Sequence, residues 1–432
     1  MSEPAESLAI RPFEGSNLKA TVRVPGSKSI TNRALIVAAL AEGKSRLTGA
    51  LDSQDTQVLI RALNEVGIPT THKPAKRIIE VEGQSGGIPA SSAELDLANS
   101  GTSLRFLTAM LAVGHGKFRL DGTARMRQRP IGDLLNALNR LGAIARSETG
   151  NGCPPVSLDA DGLDGGFVTV RGDISSQFLS GLLMALPYGS NASEIEVEGQ
   201  LVSVPYVTMT LAVMKAFGVR VDNRKNKRFV VKPGHYMGRE YAIEPDASAA
   251  SYFFALAAIT GGKVAVEGLG KGSLQGDLDF VQVLAHMGCQ AELTDTKTTV
   301  YGGTLKGVDV DMNAISDTVM TLAVVALFAT GPTRIRNVAH IRHKETDRIG
   351  AVATELRKFG AEVIEHYDGL TILPPTPENL KPATVSTYDD HRMAMSFALA
   401  GTRIPGTVIL DPGCVGKTYP EYWVDLEKAL GR

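Results

Sequence analysis

Cysteine is scarce in this chain of 432 residues: Cys153, Cys289 and Cys414 are the three present, and no two of them form a CxxC pair. That spacing offers neither a zinc knuckle nor a disulfide framework, so free buried thiols in a reducing compartment are expected. Histidine carries no metal signal either. Of the eight, only His340 and His343 stand close together, with no neighbouring cysteine and no HExxH frame. No metal site is expected. Net charge is nearly absent, since 45 Lys and Arg face 46 Asp and Glu. Bulk nucleic-acid binders show a strongly basic balance instead. Aromatic residues, at 6%, are too sparse for a base-stacking surface. Long apolar runs are missing as well. The longest, 319–331, falls short of the roughly 20 residues that a bilayer span needs. Residues 1–13 carry Glu3 and Glu6 and no apolar run. They fit neither a secretory signal nor an Arg-rich, acid-poor transit peptide. A cytoplasmic protein without membrane attachment is expected.

What is present is an ordinary globular composition, 43% hydrophobic and 21% charged, in a chain long enough for two or three domains. Its strongest pattern is internal repetition. Amphipathic helices close on an apolar pair followed by glycine, at Gly67, Gly142, Gly218, Gly288, Gly360 and Gly431, spaced by 75, 76, 70, 72 and 71 residues. Glycine suits the left-handed residue that ends a helix. A second series, of apolar helices rich in small residues, ends near Gly43, Gly114, Gly189, Gly261, Gly331 and Gly401, spaced by 71, 75, 72, 70 and 70 residues. Two interleaved series of one period predict six repeats, each with two helices and several short β-branched strands. The fold class is therefore α/β. Helices of the second series, such as 180–186 and 249–259, are apolar nearly all round and are expected to be buried. The polar stretch 222–239 is the candidate domain boundary, with three repeats on each side.

The buried helices start in a distinctive way. The first opens with Lys28, Ser29 and Arg33, and the second with Asn99, Ser100, Gly101 and Arg105. The third opens with Asp173, Ser175, Ser176 and Gln177. The last three open with Asp246, with Ser316 and Asp317, and with Asp389, Asp390, His391 and Arg392. Ser, Asp and Asn serve as helix caps, which accounts for Ser248 and others like it. A cap needs no cation, yet Lys28, Arg33, Arg105 and Arg392 lie within the first two turns, where the helix dipole disfavours positive charge. Those cations make sense where an anion binds at the helix start. Arg129 before Pro130, Lys344 to Arg348, and Lys417 add further cations at the starts of the other helix series. Each alone reads as a solvated surface charge; their recurrence at equivalent points favours a shared anion-binding cleft.

The segments VPGSKSITNRAL, LANSGTSLRF, MRQRPIGDL, SSQFLSGLLMA, LVSVPY, HKETDR, YDDHRMAMSFAL and DPGCVGKTYP together resemble the 5-enolpyruvylshikimate-3-phosphate (EPSP) synthase family over essentially the whole chain. The resemblance implies transfer of the enolpyruvyl group of phosphoenolpyruvate to shikimate 3-phosphate, with release of phosphate and no cofactor or metal. It implies a two-domain inside-out α/β barrel of six βαβαββ repeats, three per domain, closing over a cleft. The domains implied are 1–26 with 244–432, and 27–243. Position by position, Lys28, Ser29, Arg33, Ser175, Ser176, Gln177, Ser203, Tyr206, Asp317, His340 and Lys344 match the shikimate 3-phosphate site. Lys28, Gly101, Arg129, Gln177, Arg348, Arg392 and Lys417 match the phosphoenolpyruvate site. Lys28, Asp317 and Glu345 match the catalytic groups. His340 stands where the family has an asparagine, and Phe106 where many relatives have proline. A monomer is expected, with glyphosate as an inhibitor competing for the phosphoenolpyruvate site.

Spacing alone leaves other readings open. Asp317 serves equally as a helix cap, and Glu345 as an i,i+3 partner of Arg348. The reaction needs an acid/base pair, and the resemblance gives the hydroxyl proton to Asp317, the carbon proton to Glu345 and assistance of phosphate departure to Lys28. The related transferases that act on UDP-N-acetylglucosamine usually carry a cysteine in the loop corresponding to 121–129, which has none here. A non-catalytic anion- or RNA-binding module of the same repeat is a second alternative. It has no use for two carboxylates set among cations, and the near-zero net charge argues against it.

Overall fold

A computed structural model describes residues 6–15 and 18–432. Glu3, with the rest of residues 1–5, lies outside the described residues, as do Ser16 and Asn17. Among the described residues, twelve α-helices alternate in character. The odd-numbered ones are α1 (Lys28–Leu40), α3 (Gly101–Leu111), α5 (Ser176–Ala185), α7 (Ala247–Thr260), α9 (Val319–Ala326) and α11 (His391–Gly401). Small and apolar residues on every side let them sink completely. Every residue of α1 from Ile30 to Leu40 is buried, and so is every residue of α3, α9 and α11. The even-numbered helices are α2 (Gln54–Glu65), α4 (Gly132–Arg140), α6 (Val204–Ala216), α8 (Phe280–His286), α10 (Arg348–Lys358) and α12 (Tyr422–Ala429). These bury one stripe; in α4 it is Leu134, Leu135, Ala137 and Leu138. Each fully buried leucine contributes about 1.5–3 kcal/mol relative to an exposed one.

The glycines that end the even-numbered helices, from Gly67 to Gly431, all take positive φ, between 81° and 113°. The other glycine series differs in detail. Gly43 lies inside the strand Glu42–Thr48, and Gly401 is the last residue of α11. Pro130 is not the first residue of α4: Ile131 is its cap and Gly132 begins it. A 3-10 turn, Met126–Gln128, intervenes, and Arg129 ends that turn.

The chain divides into two compact units, Met1–Pro25 with Glu244–Arg432, and Gly26–Ile243. Each has its own apolar core. The stretch 222–239 is not the boundary. Strands Asp222–Arg224 and Arg228–Val231 lie within it and form an antiparallel hairpin of the second unit's sheet. Its polarity comes from the exposed turn, where Lys225 and Asn226 take positive φ of 55° and 56°, as tight hairpins require.

Each complete repeat makes a four-stranded sheet in which the first two strands are parallel and the rest antiparallel. In one, Ser92–Asp96 runs parallel to His115–Asp121, which pairs antiparallel with Val156–Asp161, itself paired with Ile144–Ser147. Helices α3 and α4 fall between those strands in sequence, giving β-α-β-α-β-β. Two strands are exchanged. Lys19–Val22, just before α1, pairs with Lys263–Val266 in the first unit. Glu240–Ala242, just before α7, pairs with Arg46–Thr48 in the second. The sixth sheet has three strands, and its edge is the N-terminal Ser7–Ala9, paired with Val408–Leu410.

Candidate active site

In the unit Gly26–Ile243, α1 and α5 start with side-chain caps in place, while Ser100 at the start of α3 makes no capping bond. Ser27 Oγ accepts from Ile30 N, and Ser175 Oγ accepts from Gln177 N at 3.3 Å. The cations beside them are buried and held. Arg129 Nη1 donates to the carbonyl of Asn99 at 3.0 Å and to its side-chain oxygen at 3.2 Å. Arg105 donates to Gln177 Oε1 at 2.7 Å and to the carbonyl of Pro130 at 2.8 Å. Gln177 Nε2 in turn donates to Thr102 Oγ1 at 3.1 Å. Gly101 is the point where these groups converge. A Cβ added there lands 2.5 Å from Arg129 Nη2 and 2.9 Å from Arg105 Nη1. Only glycine lets both guanidinium groups stand against the first turn of α3. Lys28 Nζ lies 4.0 Å from Asp55 Oδ2.

Arg33 is 2% exposed and meets no carboxylate among the described residues. Its Nε donates to Thr210 Oγ1 at 2.7 Å, Nη1 to the carbonyl of Ser29 at 2.9 Å, and Nη2 reaches Ser180 Oγ at 3.5 Å. Its guanidinium lies 5.2 Å from the Phe106 ring centroid and 5.9 Å from that of Tyr206, within cation–π range. Burial pushes its pKa down to about 10. A buried cation without a counter-charge is costly, and a bound anion would offset that cost. Ser203, 4% exposed, caps α6 in a left-handed conformation, φ 54°, a strained state that surrounding structure must enforce.

The unit containing Glu244–Arg432 holds a denser network. Arg348 is 1% exposed and binds three carboxylates. Its Nε and Nη2 donate to Asp390 at 2.7 and 3.2 Å, Nη2 also to Glu345 Oε2 at 2.8 Å, and Nη1 to Asp317 Oδ1 at 3.2 Å. Asp317 Oδ2 accepts from Arg392 Nη2 at 2.7 Å, and Lys344 Nζ stands 3.7 Å from Asp317 Oδ1. Burial lowers the Arg348 pKa, but the attraction of Asp390, Glu345 and Asp317 outweighs it and the net shift is upward. Asp390 caps α11 through Arg392 N at 2.9 Å. His340, 5% exposed, shares a 3.0 Å hydrogen bond with Ser316 Oγ. Burial, and then Lys344, push its pKa down to about 3, so the imidazole is neutral. Lys417, 6% exposed, ends a 3-10 turn, Pro412–Lys417, and its charge acts on the buried His391.

The structure thus brings Gly101, Arg129 and Gln177 together through Arg105, joins Arg33 to Tyr206 and Ser29, and gathers Asp317, Lys344, Glu345, Arg348 and Arg392. His340 joins that last group through Ser316. The position-by-position assignment omits four residues that these networks use: Asn99, Arg105 and Asp390, which the sequence places at helix starts, and Asp55. Asp390 is the clearest omission. Its one signal in the sequence is the pair His391 and Arg392 that follows it, and an ordinary cap would show the same aspartate.

The chain matches the model of a family described as EPSP synthase (3-phosphoshikimate 1-carboxyvinyltransferase) over residues 13–426. It is 49% identical over 429 residues to the 3-phosphoshikimate 1-carboxyvinyltransferase of Trichormus variabilis, covering 99% of this chain and 100% of that protein. Among solved structures it resembles EPSP synthase from Acinetobacter baumannii, with a TM-score of 0.80 at 27% identity and 98% of each chain covered. It also shares the fold of the enolpyruvyl transferase NikO from Streptomyces tendae, with a TM-score of 0.79 at 21% identity, covering 99% of this chain and 98% of that one.

Proposed function

The chain belongs to the EPSP synthase family, and from that premise we propose how its residues divide the reaction. The enzyme transfers the enolpyruvyl group of phosphoenolpyruvate to the 5-hydroxyl of shikimate 3-phosphate and releases phosphate. The methylene carbon gains a proton, the hydroxyl oxygen attacks the adjacent carbon, and the tetrahedral adduct loses phosphate as the new methyl group gives a proton back.

These substrates bring two phosphates and two carboxylates together, so several cations must offset their repulsion. We assign Lys28, Ser29, Arg33, Ser175, Ser176, Gln177, Ser203, Tyr206, Asp317, His340 and Lys344 to shikimate 3-phosphate. Arg33 is supported by its burial without a carboxylate partner among the described residues. Lys28, Gly101, Arg129, Gln177, Arg348, Arg392 and Lys417 are assigned to phosphoenolpyruvate. Most contacts to shikimate 3-phosphate come from 27–243. The unit with 244–432 supplies Asp317, Glu345, Arg392 and Lys417. Both sets serve one catalytic cycle. Arginine suits the carboxylate and phosphate groups through its bidentate fork, while lysine acts as a point charge.

One observation carries the catalytic assignment: Asp317 and Glu345 converge on a single guanidinium, Arg348, at 3.2 and 2.8 Å. Two carboxylates held apart by one cation can serve different protons of one reaction. Asp317 takes the hydroxyl proton, Glu345 handles the carbon proton, and Lys28 assists phosphate departure. The test is phosphate release from phosphoenolpyruvate, with and without shikimate 3-phosphate, in the parent and in Asp317→Asn and Glu345→Gln. Release in the parent should depend on shikimate 3-phosphate, and both variants should lose it. Full activity in either variant removes that residue from the role.

A cytoplasmic location, a monomeric state and inhibition by glyphosate are part of the same proposal. No helix among the described residues is long and apolar enough to cross a membrane.

A further inference from the structure

Glu355 is a fully buried carboxylate that the reaction does not use. It lies on α10 seven residues after Arg348, a separation that keeps both side chains on one helix face. Both reach the same segment, the approach to α11. Glu355 Oε2 accepts from Ser386 N at 3.1 Å, and Oε1 accepts from the Tyr388 hydroxyl at 2.7 Å. Lys358 Nζ neutralises the carboxylate at 2.7 Å. Arg348 grips the other end of the segment, at Asp390.

Between these two grips, Tyr388 and Asp389 take φ of 58° and 54°, two successive left-handed residues, neither of them glycine. Aspartate tolerates that state; tyrosine resists it. Such a pair persists only where its surroundings enforce it. Asp390 N donates to the carbonyl of Thr387 at 2.9 Å and closes the turn. Tyr388 is 40% exposed, and its hydroxyl bond to Glu355 anchors its side chain. Burial and that hydrogen bond both keep the phenol protonated, with its pKa pushed up. The next residues are Asp390, which binds Arg348 through both carboxylate oxygens, and Arg392, which binds Asp317.

We infer that Glu355 and Tyr388 are positioning residues, which hold the turn at 388–389 in the left-handed form that aims Asp390 and Arg392. The inference rests on the assignment of Arg348 and Arg392 to phosphoenolpyruvate. It differs from a role in general stability, because it acts on one substrate.

The test is steady-state kinetics on the intact enzyme for Tyr388→Phe, Tyr388→Ala, Tyr388→Gly and Glu355→Gln, with Arg392→Lys as reference and thermal unfolding alongside. Tyr388→Phe removes one hydrogen bond and should raise KM for phosphoenolpyruvate about threefold to tenfold. KM for shikimate 3-phosphate should stay within about twofold of the parent, below what a lost hydrogen bond costs. Glu355→Gln should act in the same direction. Tyr388→Ala keeps the strain and should be worse than Tyr388→Phe. Tyr388→Gly relieves the strain, so its KM should fall back below that of Tyr388→Ala. An unchanged KM for phosphoenolpyruvate in Tyr388→Phe overturns the inference. So does a parallel rise in both KM values with a matching loss of thermal stability, or a glycine variant no better than the alanine one. If Arg392→Lys leaves KM for phosphoenolpyruvate unchanged, the assignment of Arg392 itself falls, and this inference with it.

Discussion

Replacing Gly101 by alanine adds a single methyl group, and the structure gives its consequence in ångströms. The new carbon meets Arg129 Nη2 at 2.5 Å and Arg129 Cζ at 2.6 Å. Ordinary contact starts near 3.4 Å, so the guanidinium must retreat by about 0.9 Å, comparable to the 1 Å misplacement that can cost about a hundredfold in rate. Arg105 Nη1, at 2.9 Å, is pushed as well. Losing one charge-assisted hydrogen bond to substrate costs about 1.5–3 kcal/mol, or roughly tenfold to a hundredfold in affinity. Gly101 opens α3, and its φ lies outside the left-handed range. Alanine therefore suits the backbone and even favours the helix by up to about 1 kcal/mol. The variant should keep its thermal unfolding temperature within about 3 °C, since a ΔΔG below 1 kcal/mol moves a chain of this size by little. Its KM for phosphoenolpyruvate should rise at least tenfold on the same hydrogen-bond estimate, measured by initial rates at saturating shikimate 3-phosphate. Glyphosate should inhibit the parent competitively against phosphoenolpyruvate and should weaken in the variant in parallel. A KM within about twofold of the parent, below the cost of any charged hydrogen bond, refutes the reasoning, and so does a collapse of stability without a change in KM.

Glu345→Gln keeps the size of the side chain and leaves Arg348 its bonds to Asp390 and Asp317; turnover should fall about 10²- to 10⁴-fold with substrate binding retained, as read by single-turnover rates and equilibrium binding. Arg33→Lys loses the forked contacts to Thr210, Ser29 and Ser180 and should raise KM for shikimate 3-phosphate roughly tenfold or more, with a smaller effect on phosphoenolpyruvate. His340 is neutral when folded, its pKa pushed from 6.5 to about 3. Its folded pKa is depressed, so its contribution to stability is complete above pH 6.5 and is lost as pH falls towards 3. At pH 5 the loss is about 2 kcal/mol, and His340→Asn should flatten the fall of unfolding temperature between pH 7 and pH 5. Equal slopes in parent and variant contradict the assignment.

Much of the architecture was legible because a helix ending in glycine leaves a mark at a fixed period. Gly67, Gly142, Gly218, Gly288, Gly360 and Gly431 carry positive φ and delimit the repeats. Strand exchange was not legible from periodicity, because Lys19–Val22 and Glu240–Ala242 are short strands whose partners are fixed by three-dimensional pairing. The polar stretch 222–239 misled for a physical reason: an exposed hairpin and a linker are both rich in charge. Within the site, cations at helix starts stood out because they oppose the helix dipole. Asp390 did not, since an aspartate there is a good cap whether or not it also holds Arg348. Tyr206 was legible through the resemblance, whereas the placing of the Phe106 ring against the same Arg33 guanidinium needed the three-dimensional packing.

The exchanged strands set an order of events during synthesis. Residues 26–243 are continuous in the chain and contain every strand of their own three sheets, so that unit can finish as soon as it leaves the ribosome. The other unit is started first and completed last. Its strand Lys19–Val22 emerges early and waits for Lys263–Val266, about 240 residues later, which is some 12 s or more at 5–20 residues per second. Ser7–Ala9 waits for Val408–Leu410, about 400 residues later. A nascent chain of this protein therefore carries two unpaired strands past a finished neighbour, and Ser7–Ala9 and Lys19–Val22 are the segments on which a holding chaperone would act.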